Sequence, residues 1–176
     1  MSALTLPPLT LVLGGARSGK STHAERLLTS LPGPWAYVAT AEALDSEMRE
    51  RIDIHQARRG PGWLQYETPL DLAGILAGDA AGQPCLVDCL TLWVSNLMHA
   101  SRDVADEAEQ LIGAVSKRTA PCIMVSNEVG LGIVPDNALA RRFRDEAGRL
   151  NQRIAAAADR VVFVAAGLPM ILKGEK

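Results

Sequence analysis

The chain has 176 residues, a formal net charge of −2 and 48% hydrophobic residues. That length suits a single domain burying about 70% of its unfolded surface without disulfides or structural metal. The near-balanced charge gives no general electrostatic reason to expect a nucleic acid or an anionic membrane as partner.

The apolar, β-rich run Leu9 to Leu13 reads as a buried strand, and Thr22 to Leu28 continues as a helix. Between them Gly14, Gly15, Ala16, Arg17, Ser18, Gly19, Lys20 and Ser21 fit the phosphate-binding loop G-x-x-x-x-G-K-[ST]. Glycines let the backbone turn tightly, so that successive N–H groups and the positive end of the helix surround phosphate oxygens. Lys20 is expected to reach the β- and γ-phosphates and Ser21 to ligate Mg²⁺. A nucleoside triphosphate, ATP or GTP, is the expected substrate.

Trp35 to Thr40, Cys85 to Asp88, Ile123 to Ser126 and Val161 to Val164 read as further strands, with Leu64 to Glu67 a weaker one. Helical patterns lie between most of them, which predicts an α/β fold with a mostly parallel sheet covered on both faces. Asp45 is expected to cap a helix carrying Met48, Ile52 and His55 on one side and ending near Gly60-Pro61. Ser101-Arg102-Asp103 opens a helix through Val115, whose basic end, Lys117-Arg118, complements its dipole. Asp136 is expected to cap the longest helix, with Leu139, Phe143, Leu150 and Ile154 on one face. Met170 to Lys173 forms a short antiparallel last strand after a Gly167-Leu168-Pro169 turn.

Cys85, Cys89 and Cys122 are odd in number and sit in apolar runs, which predicts free buried thiols rather than a disulfide framework. Cys85 and Cys89 lack a second pair at zinc-site spacing. Met1 to Pro8 has no basic segment followed by an apolar stretch, so a cytoplasmic protein without stable membrane insertion is expected.

Asp88 ends an apolar strand, where a nucleotide site needs a carboxylate for Mg²⁺, and is the expected partner of Ser21. His55 lies near Arg58, Arg59, Trp63 and Glu67. The helix end near Gly60 favours imidazolium, whereas the two arginines favour the neutral ring that nucleophilic attack requires. A half-exposed helix histidine and a nucleophile are both compatible with that spacing. Asn127-Glu128-Val129-Gly130 and Gly132-Ile133-Val134-Pro135 form a strand-end loop suited to an acceptor substrate. The N-K-x-D guanine reader of regulatory GTPases is not what stands there.

Taken together, Gly14 to Ser21, Tyr37 to Thr40, Glu47-Met48 to His55, Trp63 to Glu67, Asn127 to Pro135 and Ala140 to Asp159 resemble the bifunctional adenosylcobinamide kinase and adenosylcobinamide-phosphate guanylyltransferase family of cobalamin biosynthesis. The resemblance spans nearly the entire chain. It implies one P-loop, RecA-like nucleotide-binding catalytic domain over residues 1–176, with adenosylcobinamide and adenosylcobinamide phosphate as partners. It implies His55 as the guanylylated residue, Lys20 as a catalytic group, and Ala39, Thr40, Ala41, Gln56, Ala57, Arg58, Arg59 and Glu67 as GTP contacts. A homotrimer is implied as well. Many relatives carry glutamate where this chain has Asp88, which leaves that position's metal contact direct or bridged by water. Two other readings fit the phosphate loop: a small-molecule kinase without guanylyl transfer, and a non-catalytic nucleotide-regulated binding module.

Overall fold

The computed structural model describes residues 6–42 and 59–175. In strand β1 (Leu9–Gly14) alternate residues divide the interior. Leu9, Leu11 and Leu13 enter one hydrophobic cluster and Val12 the other, as the period of two in a strand dictates. Both faces are covered, so the strand is buried along its whole length rather than at alternate residues.

Six further strands complete the sheet: β2 (Trp35–Ala39), β3 (Trp63–Glu67), β4 (Cys85–Asp88), β5 (Cys122–Asn127), β6 (Arg160–Ala165) and β7 (Leu168–Lys173). Their order is β3-β2-β4-β5-β1-β6-β7. Every pair is parallel except β6 with β7. One strand, β5, therefore stands between the strand that enters the phosphate loop and the strand that ends in Asp88. The alternating α/β pattern read from the sequence thus produces a P-loop, RecA-like sheet.

The helices are α1 (Lys20–Leu28), α2 (Leu72–Ala77), α3 (Leu90–His99), α4 (Val104–Val115) and α5 (Ala138–Ala157). Leu72, Leu76, Trp93, Leu97, Leu111, Leu150 and Ile154, from α2 to α5, fill the first cluster; Ala24 and Leu28 of α1 bring that helix to the opposite face. Helix α4 starts as expected, with Asp103 accepting hydrogen bonds from the N–H groups of Ala105 and Asp106.

Several sequence expectations need correction. The cap of α5 is Asn137, not Asp136: the Asn137 side-chain oxygen accepts from the N–H of Ala140 at 2.7 Å. Asp136 lies outside the helix, and its carbonyl accepts from Arg141. The last strand starts at Leu168 because Ala166 and Gly167, with φ of 51° and 78°, make a two-residue turn. Pro169 is tolerated because β7 is an edge strand, where a missing N–H need not break a ladder. Arg118 does not merely complement the end of its own helix. It reaches across to donate to the carbonyls of Leu76, Ala80 and Gln83 around the end of α2.

Cys85 and Cys122 are register partners on β4 and β5, and all three cysteines are buried free thiols. The expected helix from Asp45, with Met48, Ile52 and His55, lies outside the described residues. Among the described residues, no helix is long and apolar enough to cross a membrane.

Candidate functional site at the carboxyl ends of the strands

The phosphate loop leaves β1 at Gly14 and enters α1 at Lys20. Gly14 has no room for a side chain: a Cβ would stand 2.5 Å from the Val164 carbonyl oxygen and 2.5 Å from the Ser18 hydroxyl. Gly19 has a φ of +94° and caps α1, and a Cβ there would approach Gly167 Cα at 3.2 Å. The turn between β6 and β7 is thus pressed on the loop, and the Gly167 N–H donates to the Ser18 carbonyl. Arg17 shares the left-handed conformation, with φ 56°. Such turns aim consecutive N–H groups into one concavity suited to anions.

Lys20 is 8% exposed, and its ammonium donates to the Gly15 carbonyl at 2.9 Å. Burial lowers its pKa from the ordinary lysine value, and the negative charge of nearby Asp88 opposes that shift. Buried cationic nitrogen folded onto its own loop is a group ready to exchange a carbonyl for a phosphate oxygen.

Parallel register brings the next residues into one row. Ala39 at the end of β2 stands beside Glu67 of β3 and Asp88 of β4, and Gly14 stands beside Asn127 of β5. Ligands of open α/β sheets bind in the crevice beyond these strand ends. The Asp88 carboxylate accepts a hydrogen bond from the Tyr37 hydroxyl at 3.1 Å. Burial pushes the neighbouring Cys89 thiol up to about 11, with Asp88 adding to the shift, so it remains protonated near neutrality.

Thr40 is fully buried, and the protein uses its polar groups. Its hydroxyl donates to the Cys89 carbonyl at 2.7 Å and accepts from the Cys89 N–H at 2.9 Å. Its N–H donates to the Asp88 carbonyl, while its own carbonyl accepts from Asn96. Thr40 therefore fixes the backbone that carries Asp88. Ala41 follows at the limit of the described segment.

Arg59 stacks over Tyr37, with its guanidinium carbon 3.5 Å from the ring centroid. Its Nη2 donates to Gln65, and Gln65 in turn donates to Glu67 at 2.9 Å. A polar chain thus runs from Arg59 to one of the expected GTP contacts. His55, Gln56, Ala57 and Arg58 lie outside the described residues.

On the other side of the loop, the N–H of Glu128 donates to the Gly14 carbonyl at 3.0 Å, tying the Asn127 to Pro135 segment to the phosphate loop. Asn127 is held by Thr91, which accepts from its N–H, and by Asn151, which donates to its carbonyl. Beyond this anchor Leu131, Ile133 and Val134 are 83%, 98% and 63% exposed. Three exposed apolar side chains within four residues present a greasy lip beside the anion cradle.

Mg²⁺ prefers oxygen donors and commonly keeps waters and substrate phosphates in its shell. A serine hydroxyl opening α1 and the Asp88 carboxylate provide that chemistry, and among the described residues no cluster of three histidine, cysteine or acidic groups competes with it. The donor set fits magnesium held chiefly by phosphate oxygens.

Tyr37 and Gln65 lie in stretches that carry the family resemblance without being expected contacts, and Asn96 and Thr91 lie in none of them. Tyr37 had a signal of its own, as a hydroxyl-bearing residue inside the buried strand W-A-Y-V-A. Asn96 and Thr91 had none, because their importance comes from contacts made 56 and 36 residues away.

The flagellar accessory protein FlaH from Methanocaldococcus jannaschii is similar in structure, with a TM-score of 0.55 at 14% identity over 95% of this chain and 78% of that one. That likeness concerns the fold alone. The bifunctional adenosylcobalamin biosynthesis protein CobP of Pseudomonas aeruginosa is 50% identical over 94% of this chain and 97% of its own length. CobU of Salmonella typhimurium, also named as a bifunctional adenosylcobalamin biosynthesis protein, is 42% identical over 94% of this chain and 99% of its own. The family model described as cobinamide kinase / cobinamide phosphate guanyltransferase matches residues 10–172, and the chain belongs to that family.

Proposed function

We propose that this protein phosphorylates adenosylcobinamide with a nucleoside triphosphate and then transfers GMP from GTP, through a guanylyl-histidine at His55, to give adenosylcobinamide-GDP. The observation that carries the reading is buried Lys20 in a formed phosphate loop beside Asp88, in a chain of this family.

In the kinase step the aminopropanol hydroxyl oxygen of adenosylcobinamide bonds to the γ-phosphorus. The bond from that phosphorus to the β–γ bridging oxygen breaks, the nucleoside diphosphate leaves, and the hydroxyl proton passes to solvent. Lys20 moves from the Gly15 carbonyl to the phosphates and offsets the charge that shifts to the bridging oxygen. Loop N–H groups hold the β-phosphate in place, which makes the reaction one of positioning and charge stabilisation. Mg²⁺, held through Ser21 and Asp88, supplies further neutralisation of phosphate charge when bound.

In the transfer step a neutral imidazole nitrogen of His55 bonds to the α-phosphorus of GTP, and pyrophosphate leaves. A phosphate oxygen of adenosylcobinamide phosphate then bonds to the same phosphorus and breaks the P–N bond, returning the imidazole. The family resemblance adds Ala39, Ala41, Gln56, Ala57, Arg58, Arg59 and Glu67 as GTP contacts. Thr40 contributes by fixing Asp88. The apolar lip at Leu131, Ile133 and Val134 suits the acceptor side, where a large organic macrocycle must approach the phosphates. The same reading makes the protein a single-domain, cytoplasmic homotrimer with no nucleic-acid partner.

GTP labelled at the α-phosphate tests this directly. Wild type is expected to acquire an acid-labile label that adenosylcobinamide phosphate discharges as adenosylcobinamide-GDP. His55→Ala is expected to lose the label and keep the kinase step. A kinase-active wild type that never labels, with GMP transfer absent, would leave the small-molecule kinase in its place. Nucleotide binding without either product would leave the regulatory module.

A further inference from the structure

Tyr37 touches two charged groups of the site at once. Its side chain is 5% exposed, its hydroxyl donates to Asp88 Oδ2 at 3.1 Å, and one ring face carries the Arg59 guanidinium 3.5 Å from the centroid. Trp63 meets the ring edge-on, with centroids 6.1 Å apart and planes at 76°. The ring is therefore fixed from two sides, and the hydroxyl has a defined aim.

We propose that Tyr37 is a positioning residue that couples the two halves of the site: its hydroxyl sets the Asp88 carboxylate, and its ring holds Arg59 for the guanylylation step. This rests on the two-step reading above. The hydroxyl faces a carboxylate oxygen, which has no proton to give, so the hydroxyl is the donor of the pair. With Oδ2 accepting from Tyr37, Oδ1 keeps its full acceptor capacity.

Arg59 is the second charged group that Tyr37 holds. One of its terminal nitrogens, Nη2, is used by Gln65, while Nη1 is buried with no hydrogen-bond partner among the described residues. A buried guanidinium donor without an acceptor is costly unless a ligand oxygen completes it. Stacking on Tyr37 holds that donor in a fixed plane, and a planar arginine fork is well matched to phosphate oxygens. Arg59 also follows His55 by four residues in the chain. A guanidinium stacked on Tyr37 thus offers Nη1 to a nucleotide phosphate oxygen, while the same tyrosine serves Asp88 through its hydroxyl.

Two substitutions separate these roles. Tyr37→Phe keeps the ring and removes the hydroxyl. Calorimetric titration of ATP is expected to show about tenfold weaker binding in the presence of Mg²⁺ and unchanged binding in EDTA, the scale of one hydrogen bond to a charged group. Arg59→Lys keeps the charge and removes the stacked plane. It is expected to slow α-phosphate labelling of His55 at saturating GTP by about tenfold or more. Tyr37→Leu, where it folds, combines both losses.

Equal loss of affinity with Mg²⁺ and in EDTA for Tyr37→Phe, or no loss in either, overturns the Asp88 role. Labelling by Arg59→Lys at the wild-type rate overturns the Arg59 role. Failure of the two-step reading has a different signature, since wild type itself would then take no label, whereas the calorimetric contrast between wild type and Tyr37→Phe still reports on Tyr37.

Discussion

Lys20 carries a conflict that evolution of a nucleotide site imposes. A cation buried at 8% exposure loses hydration, and the apo protein offers it one loop carbonyl in return. Its folded pKa lies below the unfolded value of about 10.5. Between those two values the unfolded chain binds more protons than the folded one, so stability rises with pH across that window and its contribution is least favourable below it. Lys20→Met should remove both the penalty and this part of the pH slope. Urea unfolding of the nucleotide-free protein at pH 8 and near pH 10 is expected to show a smaller gain on raising pH in the variant than in wild type. The variant is also expected to lose both product-forming activities, because stability and phosphate binding make opposite demands on the same side chain. A variant with an unchanged pH slope would mean that the Lys20 ammonium is as well solvated in the folded state as in the unfolded one.

At the scale of elements, what could be read in the sequence was set by whether the cause was local. The phosphate loop, strand β4 ending in Asp88, and the helix that opens at Ser101-Arg102-Asp103 depend on neighbours within a few residues, and they stand where their patterns place them. The choice between Asp136 and Asn137 turns on a single residue: both types cap helices well, and with Ala138 the first helical residue it is Asn137 that meets the Ala140 N–H. Short α2, six residues long, lacks enough turns to show a helical period, and its end is finished by a side chain from outside.

That outside side chain is Arg118. Its Nη1 donates to Leu76 and Ala80 at 2.7 and 2.9 Å, and its Nη2 to Gln83 at 2.5 Å. Removing it leaves three carbonyls at the end of α2 without this donor, and a charge-assisted hydrogen bond contributes about 1.5–3 kcal/mol. Arg118→Ala is expected to destabilise the protein by about 3 kcal/mol in urea titration. Nucleotide KM should stay near the wild-type value, because α2 packs in the cluster on the sheet face opposite to that of α1. A shift in KM with unchanged stability would reverse this assignment and make Arg118 part of the site.

The whole molecule places two chemistries around one phosphate cradle. Gly14 to Ser21 is the phosphate loop among the described residues, and strands β2, β3, β4 and β5 direct Ala39, Glu67, Asp88 and Asn127 to the same end of the sheet. On the proposed two-step reading the kinase step needs the γ-phosphate presented to the acceptor, and guanylylation needs the α-phosphate presented to His55. One cradle can hold a triphosphate in one of these poses at a time. A non-hydrolysable ATP analogue is therefore expected to inhibit α-phosphate labelling of His55 competitively with GTP, and GTP to raise the apparent KM for ATP in the kinase reaction of His55→Ala. Labelling rates measured over a matrix of GTP and analogue concentrations check the first of these: lines of constant maximum rate and rising KM support a shared cradle. A falling maximum rate at unchanged KM would require a second nucleotide site, and the two steps would then run side by side rather than in alternation.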